Sequence, residues 1–341
     1  MSAAPSVSVL MPAHNAATTL PETLDSLRAQ SMPDFELVAV NDGSDDETGA
    51  ILHACAAKDP RVRPIDLPRV GLIEALNSGL AACRGHFVAR MDGDDLAHPR
   101  RLELQAERLR TQPGLSLISC LVEPFPTDTM TEGFRRYVEW LNALTTPAEI
   151  GRDIFIESPL PHPSVMLRRD ELLAMGGYQE HGWAEDYDLW LRYHLAGKRM
   201  DKVTKTLLRW RDHPARATRT DSRYSVENFL RAKAHYLLDG PLPGHDAIII
   251  WGAGQMGRRI SKYLIRAGAP LLAFLDIDTG KIGRALRGRP VHPADQLPEL
   301  WRQHARPILL AAVGSRGART LIRARLRGWG FVETEDFWCV A

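Results

Sequence analysis

The chain has 341 residues, of which 44% are hydrophobic and 25% charged, with a formal net charge of +1. This is the balance of an ordinary globular protein of two or three domains, and the absence of an 18-residue apolar run or a basic, apolar start excludes a membrane span and a secretory signal, so a cytoplasmic protein is expected. Cys55, Cys83, Cys120 and Cys339 are too scattered for a disulfide framework or a thiolate metal site.

In chain order, strand-like and helix-like segments alternate over the first 120 residues: strand 7–11, helix 20–30, strand 35–41, helix 46–59, strand 62–67, helix 73–83, strand 87–91, helix 99–112 and strand 115–122. Such alternation predicts an α/β fold, a mostly parallel sheet with helices on both faces. Thr19 followed by Glu22 reads as a capping box at the first helix. Residues 123–161 loosen into an insertion around an amphipathic stretch at 134–144. Order returns with strand 164–167, a short helix from Asp170, a helix at 186–196 and a strand at 205–210. A basic connector over 216–243, with a helix at 224–238, ends in PLPGH, and strand-helix alternation resumes over 244–341. The expected division is therefore 1–215, 216–243 and 244–341.

Charge is unevenly spread. Residues 1–60 hold nine acids against Arg28 and Lys58, whereas 196–240 hold eleven Lys or Arg against five acids. The basic stretch suits a phosphorylated ligand, a nucleic acid, an anionic membrane or merely solvent.

Ligands of a parallel sheet sit beyond the carboxyl ends of its strands. Those ends are Pro12-Ala13-His14-Asn15, Asn41-Asp42-Gly43-Ser44-Asp45-Asp46 and Asp92-Gly93-Asp94-Asp95. Each alone is ordinary turn chemistry. Together they gather carboxylates that repel unless a cation or donors join them, and Asp-x-Asp offers hard oxygens for magnesium or manganese. An EF-hand is the competing reading, and it fails at Leu96 and Ala97.

The strings VSVLMPAHN, NDGSDD, GLIEALNSGL with RGHFVARMDGDDLAHPRRL, HPSVMLRR and GGYQEHGWAEDYDLWLRY, in this order, resemble the family 2 inverting glycosyltransferases over residues 5–215. The resemblance implies a GT-A type fold, a nucleoside diphosphate sugar donor, most naturally a UDP-sugar, and a divalent cation, manganese or magnesium. The acceptor would be a hydroxyl of a glycan or a lipid-linked sugar rather than a nucleic acid, in the synthesis of cell-surface or secreted polysaccharide.

Residue by residue, the resemblance implies that Pro12, His14 and Asn15 line the nucleotide site and that Asp42 accepts the N3–H of the base. Asp94 would touch the cation, and Asp92 would lie near ribose, sugar or metal. Asp186 would be the general base that takes the proton of the acceptor hydroxyl, with helix capping as its structural alternative. Glu185 and Trp183 would meet acceptor or sugar. His162 would approach the sugar or serve the fold, and Arg211 with His213 would neutralise the leaving diphosphate or lie in solvent.

In the last hundred residues, strand 247–251 runs into Gly252-x-Gly254-x-x-Gly257, helix 258–267, strand 271–275 and Asp276. This order predicts a second, smaller Rossmann-like domain whose glycine turn cradles phosphates and whose Asp276 binds a ribose diol, with NAD or another nucleotide as ligand. Arg316, Arg319, Arg323 and Arg327 line one side of a late helix, which reads either as a peripheral contact with the inner face of an anionic membrane or as ordinary packing. Two rival functions remain open: a sugar-nucleotide pyrophosphorylase, and a non-catalytic nucleotide-sensing scaffold.

Overall fold

Seven consecutive buried residues, VSVLMPA, form strand β1 (Val7–Ala13) in the middle of an eight-stranded sheet. A strand covered on both faces carries this continuous burial rather than alternation. The structure is a computed structural model describing residues 4–128 and 130–341. It divides into two compact units: Met1–Ile150, Pro159–His181 and Glu185–Thr220 form the first, and Gly151–Ser158, Gly182–Ala184 and Asp221–Ala341 the second.

In the first unit β1 is followed by α1 (Leu20–Arg28), β2 (Phe35–Asp42), α2 (Thr48–Ala56), β3 (Val62–Leu67), α3 (Leu72–Ala82) and β4 (Phe87–Arg90). Next come β5 (Leu96–Ala97), α4 (Arg101–Thr111), β6 (Leu115–Phe125), α5 (Glu132–Ala143), α6 (Pro147–Asp153), β7 (Met166–Arg168), α7 (Arg169–Ala174), α8 (Glu185–Leu195), β8 (Arg199–Arg211) and α9 (Ala217–Thr220). The sheet order is β3-β2-β1-β4-β7-β6-β8-β5. Strands β1 to β4 run parallel, β7 is antiparallel to both β4 and β6, and β8 is parallel to β6. The carboxyl ends of β1, β2, β4, β6 and β8 therefore share one edge.

Two sequence expectations change here. Strand β8 begins at Arg199, not at 205, because Asp201 and Lys202 are buried with partners: Asp201 pairs with Arg108 at 3.1 Å and Lys202 Nζ donates to the Leu141 carbonyl. The Thr19 and Glu22 capping box does not form. Thr19 Oγ1 donates instead to the Gly93 carbonyl at 3.0 Å, and Glu22 reaches Arg211 at 2.9 Å.

The second unit contains α10 (Val226–Asp239), β9 (Ala247–Trp251), α11 (Gln255–Arg266), β10 (Leu271–Asp276), β11 (Ala285–Leu286), β12 (Arg289–Pro293), α12 (Leu297–Arg302), β13 (Pro307–Ala311), α13 (Ala318–Gly328) and β14 (Phe337–Cys339). Its sheet order is β11-β12-β10-β9-β13-β14, parallel except for β11. Of the expected connector, α9 groups with the first unit and α10 with the second. The segment Gly151–Ser158 is held inside the second unit by Lys233 Nζ, which donates to the Ile156 carbonyl at 2.5 Å, and by Arg323, which pairs with Asp153 at 2.5 Å and Glu333 at 2.7 Å. On α13, Ile322 and Leu326 are buried while Arg323 is spent on these acids and Arg319 on the Ala341 carbonyl. The late helix thus packs Ile322 and Leu326 into the core of its unit and spends Arg319 and Arg323 within it.

Candidate active site

The polar turns at the carboxyl edge form one hydrogen-bonded assembly. Asn15, left-handed at φ 50°, donates its backbone N–H to Ser44 Oγ at 3.0 Å, and its side-chain oxygen accepts from the Asp45 N–H at 3.1 Å. His14 Nδ1 lies 2.9 Å from the Asp42 carbonyl, and the Ala16 N–H donates to Thr48 Oγ1 at 2.8 Å. Pro12 is buried in β1, whereas His14 and Asn15 are exposed at its end. The expected nucleotide-site residues are thus adjacent.

Asp42 is tied to the loop that follows β3. Its carboxylate, 2% exposed, accepts from the backbone N–H groups of Val70 (2.7 Å) and Gly71 (3.1 Å) and pairs with Arg69. These contacts brace the turn after β2 on a carboxylate whose two oxygens offer about four acceptor sites. Gly43 permits the closure, because a Cβ there would stand 2.4 Å from the Arg69 nitrogen. Arg69 went unnoticed in the sequence, where it is one basic residue in a loop.

After β4, Asp92, Asp94 and Asp95 place carboxylate oxygens within 4.8 Å of one another. Each is held from a different direction. Asp92 pairs with the buried Arg90, and Asp94 Oδ2 lies 2.8 Å from His213 Nε2. Asp95, 1% exposed, accepts from the Arg211 N–H at 2.7 Å through Oδ1, while its Oδ2 has no hydrogen-bond partner. Burial first, and then the charges of Asp94 and Asp92, push the Asp95 carboxyl well above its ordinary range. An unsatisfied buried oxygen among three convergent acids is the donor set a hard divalent cation fits. Arg211 donates its Nε to the Asp94 carbonyl at 2.6 Å and pairs with Glu22, so its guanidinium braces the turn.

On the other side, the first turn of α8 carries Glu185, Asp186 and Asp188, which the positive end of a helix favours. Asp186 is the second residue of the helix, not its cap, and its Oδ1 accepts from the Tyr187 N–H at 2.7 Å. Burial first, and the neighbouring Glu185 charge second, push its carboxyl up to about 8. His162 Nδ1 lies 3.5 Å from Glu185 Oε1, and its Nε2 lies 3.0 Å from the Tyr178 hydroxyl. Burial, then the Arg90 charge, lower the proton affinity of His162. His162 is therefore a buried partner of Glu185 with only 7% exposure. Arg90 also escaped the sequence reading; its signal was a basic residue closing the buried strand FVAR.

In the second unit, Trp183 is 8% exposed, its ring 5.5 Å from that of His235 and 5.6 Å from the Arg231 guanidinium. Its flat face is thus packed rather than open for a sugar. The glycine turn forms between β9 and α11 as expected: Gly252 is at φ 119°, and a Cβ on Gly257 would fall 1.8 Å from the Gly252 carbonyl oxygen. Gly254 has open space beside it. Asp276, however, accepts from the N–H groups of Ala253 (2.9 Å), Ile277 (2.9 Å) and Asp278 (3.0 Å) and pairs with Lys281 at 3.2 Å. With its oxygens committed to bracing the turns, the carboxylate is not a diol acceptor, and the NAD reading loses its support.

Comparison with known proteins agrees with the first unit's architecture. The description "Glycosyl transferase family 2" matches residues 8–173. The chain is 31% identical to the amylovoran biosynthesis glycosyltransferase AmsE of Erwinia amylovora over 56% of its own length and 70% of that protein. It is 25% identical to the Escherichia coli UDP-Gal:alpha-D-GlcNAc-diphosphoundecaprenol beta-1,3-galactosyltransferase, over 72% of its length and 88% of that protein. Among solved structures, S. aureus TarS in complex with UDP-GlcNAc is similar in fold, with a TM-score of 0.56 at 18% identity, over 76% of this chain and 72% of that one.

Proposed function

This chain belongs to glycosyl transferase family 2, and on that premise we propose that it transfers a sugar, with inversion, from a UDP-sugar to a hydroxyl of a glycan or lipid-linked acceptor. The observation that carries the reading is the convergence of Asp92, Asp94 and Asp95, with a raised, half-buried Asp186 at the start of α8 in the same unit. The UDP preference is supported by the E. coli relative, named for UDP-Gal, and by TarS, solved with UDP-GlcNAc.

In this reading Asp186 accepts the proton of the acceptor hydroxyl while the hydroxyl oxygen bonds to the anomeric carbon and the bond to the diphosphate breaks. Glu185, held by His162, keeps a second charge beside it. Asp92, Asp94 and Asp95 would hold manganese or magnesium, which when bound supplies positive charge for the leaving diphosphate. His213 and Arg211 fix the orientation of that turn. The second unit, with its glycine turn and parallel sheet, is read as Rossmann-like and carries no second set of catalytic acids in this proposal.

Among the described residues no helix is long and apolar enough to cross a membrane. The test is a thermal-shift panel of UDP-, GDP- and dTDP-sugars with and without manganese, since a ligand of the folded state raises the melting temperature by mass action. Stabilisation by UDP-sugars that grows with manganese is expected. A response to no nucleotide sugar, or only to manganese-free GDP-sugars, would remove the proposal.

A further inference from the structure

Strand β7 runs antiparallel to β4, so its end meets the start of β4 and Arg168 stands opposite Phe87. It thereby delivers the first turn of α7 to the amino edge of the sheet, the edge opposite the acidic turns. There His86 and Phe87 from β4, Arg110 from α4, and Arg168, Asp170 and Glu171 from β7 and α7 line a cavity of about 500 Å³. That volume lies within the ~300–1,000 Å³ of small-ligand sites. Its frame is fixed by the backbone: the Phe87 N–H donates to the Ser6 carbonyl at 3.1 Å, and the Arg169 N–H to the His86 carbonyl at 3.0 Å. Arg168 donates from Nε and Nη2 to the carbonyls of Leu115 (2.8 Å), Leu109 (2.7 Å) and Gln112 (3.1 Å), with its guanidinium 5.7 Å from the Phe87 ring.

The lining says what such a cavity would hold. Two guanidinium groups, Arg110 and Arg168, face two carboxylates, Asp170 and Glu171, so the charges balance and neither a phosphate nor a bare cation is favoured. A guanidinium only donates and a carboxylate only accepts, and side by side they match a neutral ligand whose groups do both, as hydroxyls do. Arg110, His86 and Asp170 are exposed and thus within reach of such a ligand. Ser6, which also lines the cavity, precedes β1, and His14 follows it, so about 25 Å of extended strand separates the two edges. A single sugar in the cavity does not reach the acidic turns; a ligand that meets both edges is a chain.

We propose that this cavity is a second glycan site, which holds sugar residues of the polysaccharide chain remote from its reacting end. The proposal rests on the reading of the acceptor as a glycan. The test is retention of the full chain, in EDTA, on an array of repeat-unit oligosaccharides from bacterial O-antigens and capsules. Some of these should retain the unaltered protein, and Arg110→Ala combined with Asp170→Ala should weaken retention by about tenfold or more, because hydrogen bonds to charged groups are lost. The thermal shift given by UDP-sugar and manganese should be the same in both proteins. Equal retention of the two proteins, or retention of neither, overturns the proposal. If circular dichroism shows that the double variant does not fold, His86→Ala decides by the same comparison: weaker retention supports the site and equal retention overturns it. Failure of the sugar-transfer reading is separate, since it would appear as no response of the unaltered protein to any nucleotide sugar while the array result stands.

Discussion

His213 Nε2 stands 2.8 Å from Asp94 Oδ2, so the segment that leaves β8 is fastened to the acidic turn that leaves β4. Two strands that are not neighbours in the sheet thereby set the direction of one carboxylate. A partner of a metal-binding carboxylate tunes affinity through orientation, and its loss commonly costs about 10–100-fold. His213→Ala should raise the manganese concentration for half-maximal UDP release by about that factor, and Asp94→Ala should abolish release as chelation does. Full release in excess EDTA would dismiss the cation.

Asp186→Asn keeps the shape of the side chain and removes its basicity. Transfer should fall by about 10²–10⁴-fold while the thermal shift given by UDP-sugar and manganese survives. Equal loss of donor stabilisation would instead mark Asp186 as a binding residue.

The raised Asp186 carboxyl has consequences of opposite sign for turnover and for stability. A base must be ionised, so kcat/KM for the free enzyme should climb as pH rises through about 8. Folding runs the other way: the native state holds the proton that the unfolded chain, with the ordinary value of 3.8, releases. The stabilisation is therefore complete below pH 3.8 and is lost as pH rises towards about 8. Urea midpoints across that range should show Asp186→Asn gaining on the unaltered protein as pH increases, and parallel curves would refute the shift.

In the second unit, Gly257→Ala would place a methyl carbon 1.8 Å from the Gly252 carbonyl oxygen. Backbone must move, at a cost of about 1–3 kcal/mol or more. Gly254→Ala meets open space and should cost less than about 1 kcal/mol as a cap change. Denaturant unfolding of the two variants checks the contrast.

Much of the site was legible in the sequence because strand ends in a parallel sheet converge whatever the details of packing. Alternation places β1 to β4 and their turns, so Asn15, Asp42, Asp92 and Asp94 stand out in the sequence as strand-end residues. Lys202 and Asp201 hid the start of β8, since local pattern cannot show that Leu141 and Arg108 satisfy them. For the same reason the Thr19 capping box failed: Gly93 and Arg211 offered competing partners from distant parts of the chain.

What the sequence by itself determined is the alternating elements, the glycine turn and the acids that end the strands, all of which follow from short-range spacing. Only the tertiary structure decided which of those acids remain available. Asp276 looks like a ligand acceptor in sequence, yet Ala253, Ile277, Asp278 and Lys281 already fill it, while Asp42 is braced by Val70, Gly71 and Arg69. Asp95 keeps an oxygen without a partner among the described residues, and burial beside Glu185 raises the proton affinity of Asp186. A carboxylate's chemistry depends on how many donors reach it and how much water is excluded around it, and both are set by residues far away along the chain.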